Sequence, residues 1–162
     1  MSVEFDVNRL KDAVKEFRGY VAKAEYSEAP FGIHGNPAIE EAQKKRGLTK
    51  KLGVMILTEE YDKPQYEWMY PSDKKGTKWS YFISALSECG AMAKILPKVA
   101  GATVEEKMTS FANAMVNKEF LWCDEQIETV GERKTRILLP KVFYGEVSAE
   151  KLVEAVKEVK VE

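Results

Sequence analysis

Between Lys51 and Tyr70 the chain reads "KLGVMILTEEYDKPQYEWMY", and this pair of segments constrains the fold more than any other feature. The first segment is apolar on both faces around Val54 to Leu57, so a strand there needs cover on both sides and belongs in the middle of a sheet. Pro64 closes a short turn. In the second segment Tyr66, Trp68 and Tyr70 share one face of a strand, while Gln65, Glu67 and Met69 share the other. Because the second face is the more polar, periodicity alone makes the ring face the core. Aromatic residues suit a half-buried strand in any case.

The flanking sequence supplies the other elements. Asp6 caps a helix over about 6–18 with Val7, Leu10, Val14 and Phe17 at helical spacing, and Gly19 reads as its stop. "GYVAKAEYS" follows as a strand, then the turn-rich "PFGIHGNP". Asn36 and Pro37 are a cap and first helical position for "AIEEAQKKR", acidic early and basic late, which Gly47 ends. From Trp79 the period turns helical: Trp79, Phe82, Ile83, Leu86 and Ala93 form one stripe, which Pro97 stops. Thr103 and Glu106 predict a capping box for a helix that buries Val104, Met108, Phe111 and Met115. "KEFLWCDEQIETV" and "KTRILLPKVFYGEV" are strands joined by "GERK". Ser148 caps a C-terminal helix over about 148–160 carrying Leu152, Val153, Val156 and Val159. With no repeat, low-complexity tract or linker in between, residues 1–162 read as a single domain of α+β class.

Composition narrows the function classes. The 162 residues are 44% hydrophobic and 31% charged with a formal net charge of −1, which describes a globular chain large enough to bury a core. No run approaches the roughly 18 apolar residues of a membrane span. "MSVEFDVNRLKD" lacks the apolar stretch of a secretory signal, so a cytoplasmic location is expected and Cys89 and Cys123 are expected as reduced thiols. Many Lys and Glu with few Asn and Gln is a composition of heat-adapted proteins. A net charge near zero argues against wholesale binding of duplex DNA, though a local basic groove is compatible with it.

Taken together, "FRGYVAKAEYSEAPFG", the Lys51–Tyr70 hairpin, "KWSYFISALSECGA", "NKEFLWCDE" and "KTRILLPKVFYG" resemble OB-fold single-stranded-DNA-binding-like proteins of phages and archaea. In those proteins a strand set is interrupted by a helix around a "fixxLxxlG" phrase and closed by a "rLlP" strand. The resemblance covers roughly residues 17–147 and implies an OB-like five-stranded antiparallel barrel or curved sheet with inserted and flanking helices. The helix between Asn36 and Arg46 is larger than a simple OB hairpin carries, which leaves room for a different α+β fold.

Three basic clusters sit at loop ends in this reading: Lys74, Lys75 and Lys78 in "PSDKKGTK"; Lys44, Lys45, Arg46, Lys50 and Lys51 in "KKRGLTKK"; and Arg133, Lys134 and Arg136 in "GERKTR". Cations beside Tyr66, Trp68 and Tyr70 are what a single strand of DNA or RNA requires, since cations track phosphates while rings stack on bases. The resemblance puts that binding on the second and third strands. Each element also has a plainer reading, with the rings as barrel wall and the lysines as solvated loops. A protein–protein module, whether replication accessory or viral structural subunit, is the alternative, and a small hydrolase the third. His34, the only histidine, has no partner motif, and Glu59, Glu60, Asp62, Asp124 and Glu125 form no D-x-D cluster. Cys89 lies beside the apolar stripe. No triad, zinc spacing or nucleotide fingerprint emerges. The chain therefore reads as a non-enzyme without metal or cofactor, whose partner is a single strand, with a homo-oligomer or replication partner left open.

Overall fold

The computed structural model describes residues 16–33, 35–129 and 133–147, with Arg133 described by its backbone alone. The expected helices over 6–18 and 148–160, and His34, lie outside the described residues, apart from the end of the first. Five strands form one antiparallel sheet: β1 (Glu16–Ser27), β2 (Lys51–Leu57), β3 (Gln65–Met69), β4 (Lys118–Thr129) and β5 (Arg133–Glu146), in the order β3-β2-β1-β4-β5. Four α-helices are described: α1 (Pro37–Lys45), α2 (Lys78–Glu88), α3 (Met92–Ile95) and α4 (Val104–Met115). None of them is long and apolar enough to cross a membrane. The class is α+β, as expected. The sheet is open: β3 and β5 are its two edges, with no main-chain ladder between them among the described residues.

β1 is central and starts earlier than the helical spacing implied. Phe17 lies in it, buried and edge-on to Tyr61 at 5.2 Å. Gly19, expected to stop a helix, is instead a strand residue placed where two strands crowd. A Cβ there would lie 2.8 Å from Ile56 Cγ2 and 2.9 Å from the Leu57 carbonyl oxygen. Its carbonyl also accepts the Trp122 indole N–H at 3.0 Å. The register slips between Val21 and Lys23, and twice along β4–β5 between Glu119 and Trp122. Such bulges add twist to a sheet. Pro140 sits in β5, where an edge strand tolerates a missing N–H.

α4 lies across β1 and α2 against β5, covering one face of the sheet. Leu52, Val54, Ile56, Met69, Phe120, Trp122, Ile137 and Leu139 meet Phe82, Leu86, Phe111 and Met115 there, all buried. Phe82 stacks on Trp122 with ring centroids 6.4 Å apart and planes 24° apart, and Trp79 of α2 packs on Phe111 of α4 at 5.5 Å. The stripe from Trp79 does not run unbroken to Pro97, because α2 ends at Cys89 and the backbone turns left-handed at Gly90 before α3. Thr103 caps α4 by accepting from Glu106 N–H at 3.1 Å, but the Glu106 carboxylate meets the Thr103 hydroxyl, not the cap N–H. The reciprocal box belongs to Thr77 and Ser80 at α2. Val104, expected in the core, is 71% exposed, in a first turn of α4 that is exposed throughout before Met108 turns inward.

Cys89 and Cys123 are both free, as expected. Burial pushes the Cys123 thiol up to about 11, with Glu125 adding to the shift. A raised thiol pKa means that its contribution to stability is whole below the ordinary value near 9 and is lost as pH climbs towards 11. Chemical denaturation followed from pH 8 to 11 should show a decline that flattens in Cys123→Ala, and an identical alkaline limb in both proteins would contradict the assignment. Gly19→Ala should cost about 1–3 kcal/mol by overpacking, read as a lowered thermal midpoint. A helical Gly19 would instead gain from the change.

Candidate functional site

The β2–β3 register decides which side of β3 faces where. Leu52 pairs with Met69, and Val54 with Glu67, so Met69 and Glu67 share the core face. Gly53 pairs with Trp68 and Met55 with Tyr66, on the opposite face. The expectation that the rings form the core is therefore reversed: Glu67 and Met69 are 6% and 1% exposed, while Tyr66 is 38% exposed and Trp68 and Tyr70 are half-buried. The polar character of the other face misled the periodicity argument, because its single carboxylate is buried with partners.

Those partners are specific. Glu67 Oε2 accepts from the Leu138 N–H of β5 at 2.9 Å, and Oε1 accepts from Trp68 N–H at 3.0 Å and from Lys78 Nζ at 2.5 Å. One carboxylate thus bridges the two edges of the sheet and anchors the first residue of α2. Lys78 Nζ also lies 5.3 Å from the Trp68 ring centroid, within cation–π range.

Beside β3 opens a groove of about 580 Å³. α1 forms one wall through Asn36, Ile39 and Arg46. The floor carries Trp68, Tyr70 and Lys51, and the far lip holds Lys78 with Thr129 and Thr135 from the ends of β4 and β5. α1 forms because Asn36 Oδ1 caps Ala38 N–H at 2.9 Å and Pro37 presets the first turn. It buries none of its own side chains. Glu40 ties it down instead, taking Lys51 Nζ at 2.6 Å and Gly35 N–H at 3.0 Å. Lys51 is 1% exposed, also donates to the Glu28 carbonyl at 3.0 Å, and stands 5.5 Å from the Tyr70 ring centroid. Burial pushes the Tyr70 phenol up, and Lys51 opposes that shift. Among the described residues the lining includes the cations Arg46, Lys51 and Lys78 and the carboxylate of Glu40, with Lys51 paired to Glu40 and Lys78 to Glu67.

The other sequence candidates scatter. Lys74 and Lys75 are exposed on the turn that leads from β3 to α2, outside the groove lining, and Lys134 is exposed on β5. Lys50 pairs with Glu105 and points its ammonium at the Tyr26 ring, 5.8 Å away. Arg136 is held by Asp124 through contacts of 2.7 and 3.2 Å. Tyr66 lies outside the lining and packs on Phe31. Sequence reasoning missed Glu67, Ile39, Thr129 and Thr135. Only Glu67 left a signal, as the lone carboxylate alternating with an apolar residue on a strand. Among the described residues no group of three or more His, Cys, Asp or Glu side chains could hold a metal ion.

Glu67→Gln would keep the shape but set an amide N–H2 against either Leu138 N–H or Lys78. The loss should be about 2–3 kcal/mol, the scale of hydrogen bonds to a buried charge, measured by urea denaturation. A change under about 0.5 kcal/mol would mean that the bridge carries nothing. Compared with known proteins, the chain matches no family model, no curated protein and no solved structure.

Proposed function

We propose that this protein binds single-stranded nucleic acid, DNA in the first place, with little sequence preference, and that the strand lies in the groove between α1 and β3. One observation carries the reading: Trp68 turns away from the core and joins Tyr70 on the floor of a groove that Arg46, Lys51 and Lys78 also line. Rings with a free face accept bases at about 1–3 kcal/mol each, and a basic lining follows the phosphates. Neither needs a particular base, so sequence preference stays low. The aromatic floor is preset by the sheet, and Lys78 is already parked beside Trp68 by Glu67, so little ordering is left for the moment of binding.

The arrangement of the walls supports the OB reading. Bringing β3 beside β5 would close the order β3-β2-β1-β4-β5 into a five-stranded barrel. An OB-fold is a partly open barrel of five strands, and it binds oligonucleotides on strands 2 and 3 and on the loops joining strands 1–2 and 4–5. The groove draws its walls from the same places: α1 from the β1–β2 connection, the floor from β3, and the lip from the ends of β4 and β5. A second reading, a protein–protein module, draws on Val142 and Tyr144, which are 42% and 40% exposed on β5. The ion pairs of Lys51 and Lys78 temper the basic character of the groove, so the exposed Lys74 and Lys75 on its approach carry the mobile positive charge in this proposal.

Labelled oligo-dT titrated at several salt concentrations separates the two. A strand binder loses affinity steeply as salt rises, because phosphate contacts release counterions. Trp68→Ala should weaken binding by about 1–3 kcal/mol. Lys74→Ala with Lys75→Ala should reduce the salt slope by about 0.7 per lost contact. Absence of oligo-dT binding at low salt, or a slope unchanged in the lysine variant together with unchanged affinity in Trp68→Ala, would sink the proposal in favour of a protein partner.

A further inference from the structure

Phe31 holds a backbone conformation that bulky residues avoid, with φ 57° and ψ 23°. Gly32 follows at φ 75°, so the turn runs left-handed over two residues and only the second is a glycine. Three hydrogen bonds hold it there. Phe31 N–H donates to Glu25 Oε2 at 3.2 Å, Gly32 N–H to the Ala29 carbonyl at 2.9 Å, and Ile33 N–H to the Pro30 carbonyl at 3.0 Å. Beneath the turn lies Gly53 of β2. A Cβ at that position would sit 2.4 Å from Pro30 Cβ and 3.2 Å from Phe31 Cε2. The strand therefore leaves out a side chain where the turn lies down on it.

The product of this arrangement is a ring pair. Phe31 and Tyr66 have centroids 5.7 Å apart and planes tilted by 49°. Tyr66 keeps 38% of its surface exposed. Gly53 is the register partner of Trp68, and Met55 that of both Tyr66 and Lys23. Phe31, Tyr66 and Trp68 thus share the outer face of β2 and β3, and exposed Lys23 lies in the same row as Tyr66, on β1. Glu25 lies on that face too, but its carboxylate is directed into the turn, taking the Phe31 N–H and the Ser27 hydroxyl at 2.6 Å. Backbone strain at a bulky residue persists where the surroundings over-determine it, and such places cluster at ligand clamps.

We infer that Phe31 and Tyr66 form a second stacking step, which continues the Trp68 and Tyr70 step of the groove across the outer face of β2 and β3 towards Lys23. The inference rests on the single-strand reading above and adds to it a direction for the strand and a longer site. A base lies on the open face of Tyr66, Phe31 backs that ring, and Lys23 meets a phosphate beyond it. The strained turn is kept because a glycine in its place would carry no ring.

The test compares Phe31→Gly, Tyr66→Ala and Trp68→Ala by anisotropy with labelled oligo-dT of increasing length, alongside melting temperatures. Glycine adopts a positive φ freely, so Phe31→Gly should melt no lower than the wild type while binding long oligo-dT about fivefold or more weakly. Tyr66→Ala should weaken long oligo-dT to a similar degree, and in both variants the loss should vanish on oligonucleotides too short to leave the groove. If Trp68→Ala binds more weakly while Phe31→Gly and Tyr66→Ala bind every length as the wild type does, the second step does not exist and the groove reading survives. A Phe31→Gly protein that melts lower, joined to a Tyr66→Ala protein with full affinity, would make Phe31 a packing residue and overturn the inference. If the wild type ignores oligo-dT, or Trp68→Ala binds as well as it does, the groove reading itself falls and takes the second step with it.

Discussion

The buried carboxylate of Glu67 is the interaction on which the arrangement of this protein turns. It sits on the core face of β3, where an unpartnered charge would be strongly unfavourable. Its two oxygens find Leu138 N–H on β5, Trp68 N–H on its own strand and Lys78 Nζ at the start of α2. Through it the two edges of an open sheet are brought together without a ladder. The same contact ties the first residue of α2 to β3 and places an ammonium beside Trp68. With Glu67 turned inward, period-two geometry sends Tyr66 and Trp68 outward.

Outward rings need a reason to stay accessible, and the β1–β2 connection provides it in two ways. α1 stands off the sheet on a polar tether between Glu40 and Lys51, so it walls a groove instead of filling it. The Pro30–Phe31 turn lies on the sheet only where Gly53 leaves space. Helix and turn together leave open rings on either side. A helix with apolar side chains facing β3 would have made the same rings into core.

The charge balance follows a similar logic. A chain of net charge −1 has no general attraction for polyanions, so any such binding depends on local imbalance. Lys50 and Arg136 are matched by Glu105 and Asp124 away from the groove. Among the described residues of the groove lining, Arg46 joins the paired Lys51 and Lys78, and Lys74 and Lys75 stand exposed on the turn beside it. In the proposed function the cations at the groove act at contact distance, where even a screened field is felt.

Local pattern was enough for the elements themselves. Short apolar and alternating runs placed the described strands apart from the start of β1, Asn36 with Pro37 placed α1, and the Trp79, Phe82, Leu86 stripe placed α2 on the sheet, because these signals arise from residues within a few positions of each other. Gly19 was misread because its lack of a side chain serves Ile56 and Leu57, residues nearly forty positions away. The face of β3 was misread for the same reason. Alternation reveals that Tyr66, Trp68 and Tyr70 share a side, but which side is buried depends on whether Glu67 has partners, and Leu138 lies 71 residues further along the chain. The sequence by itself determined an antiparallel α+β domain with rings and cations near the β2–β3 hairpin. Only the tertiary structure decided which of them share a groove, because pairing a buried charge across the sheet is a property of strand order and not of any one strand.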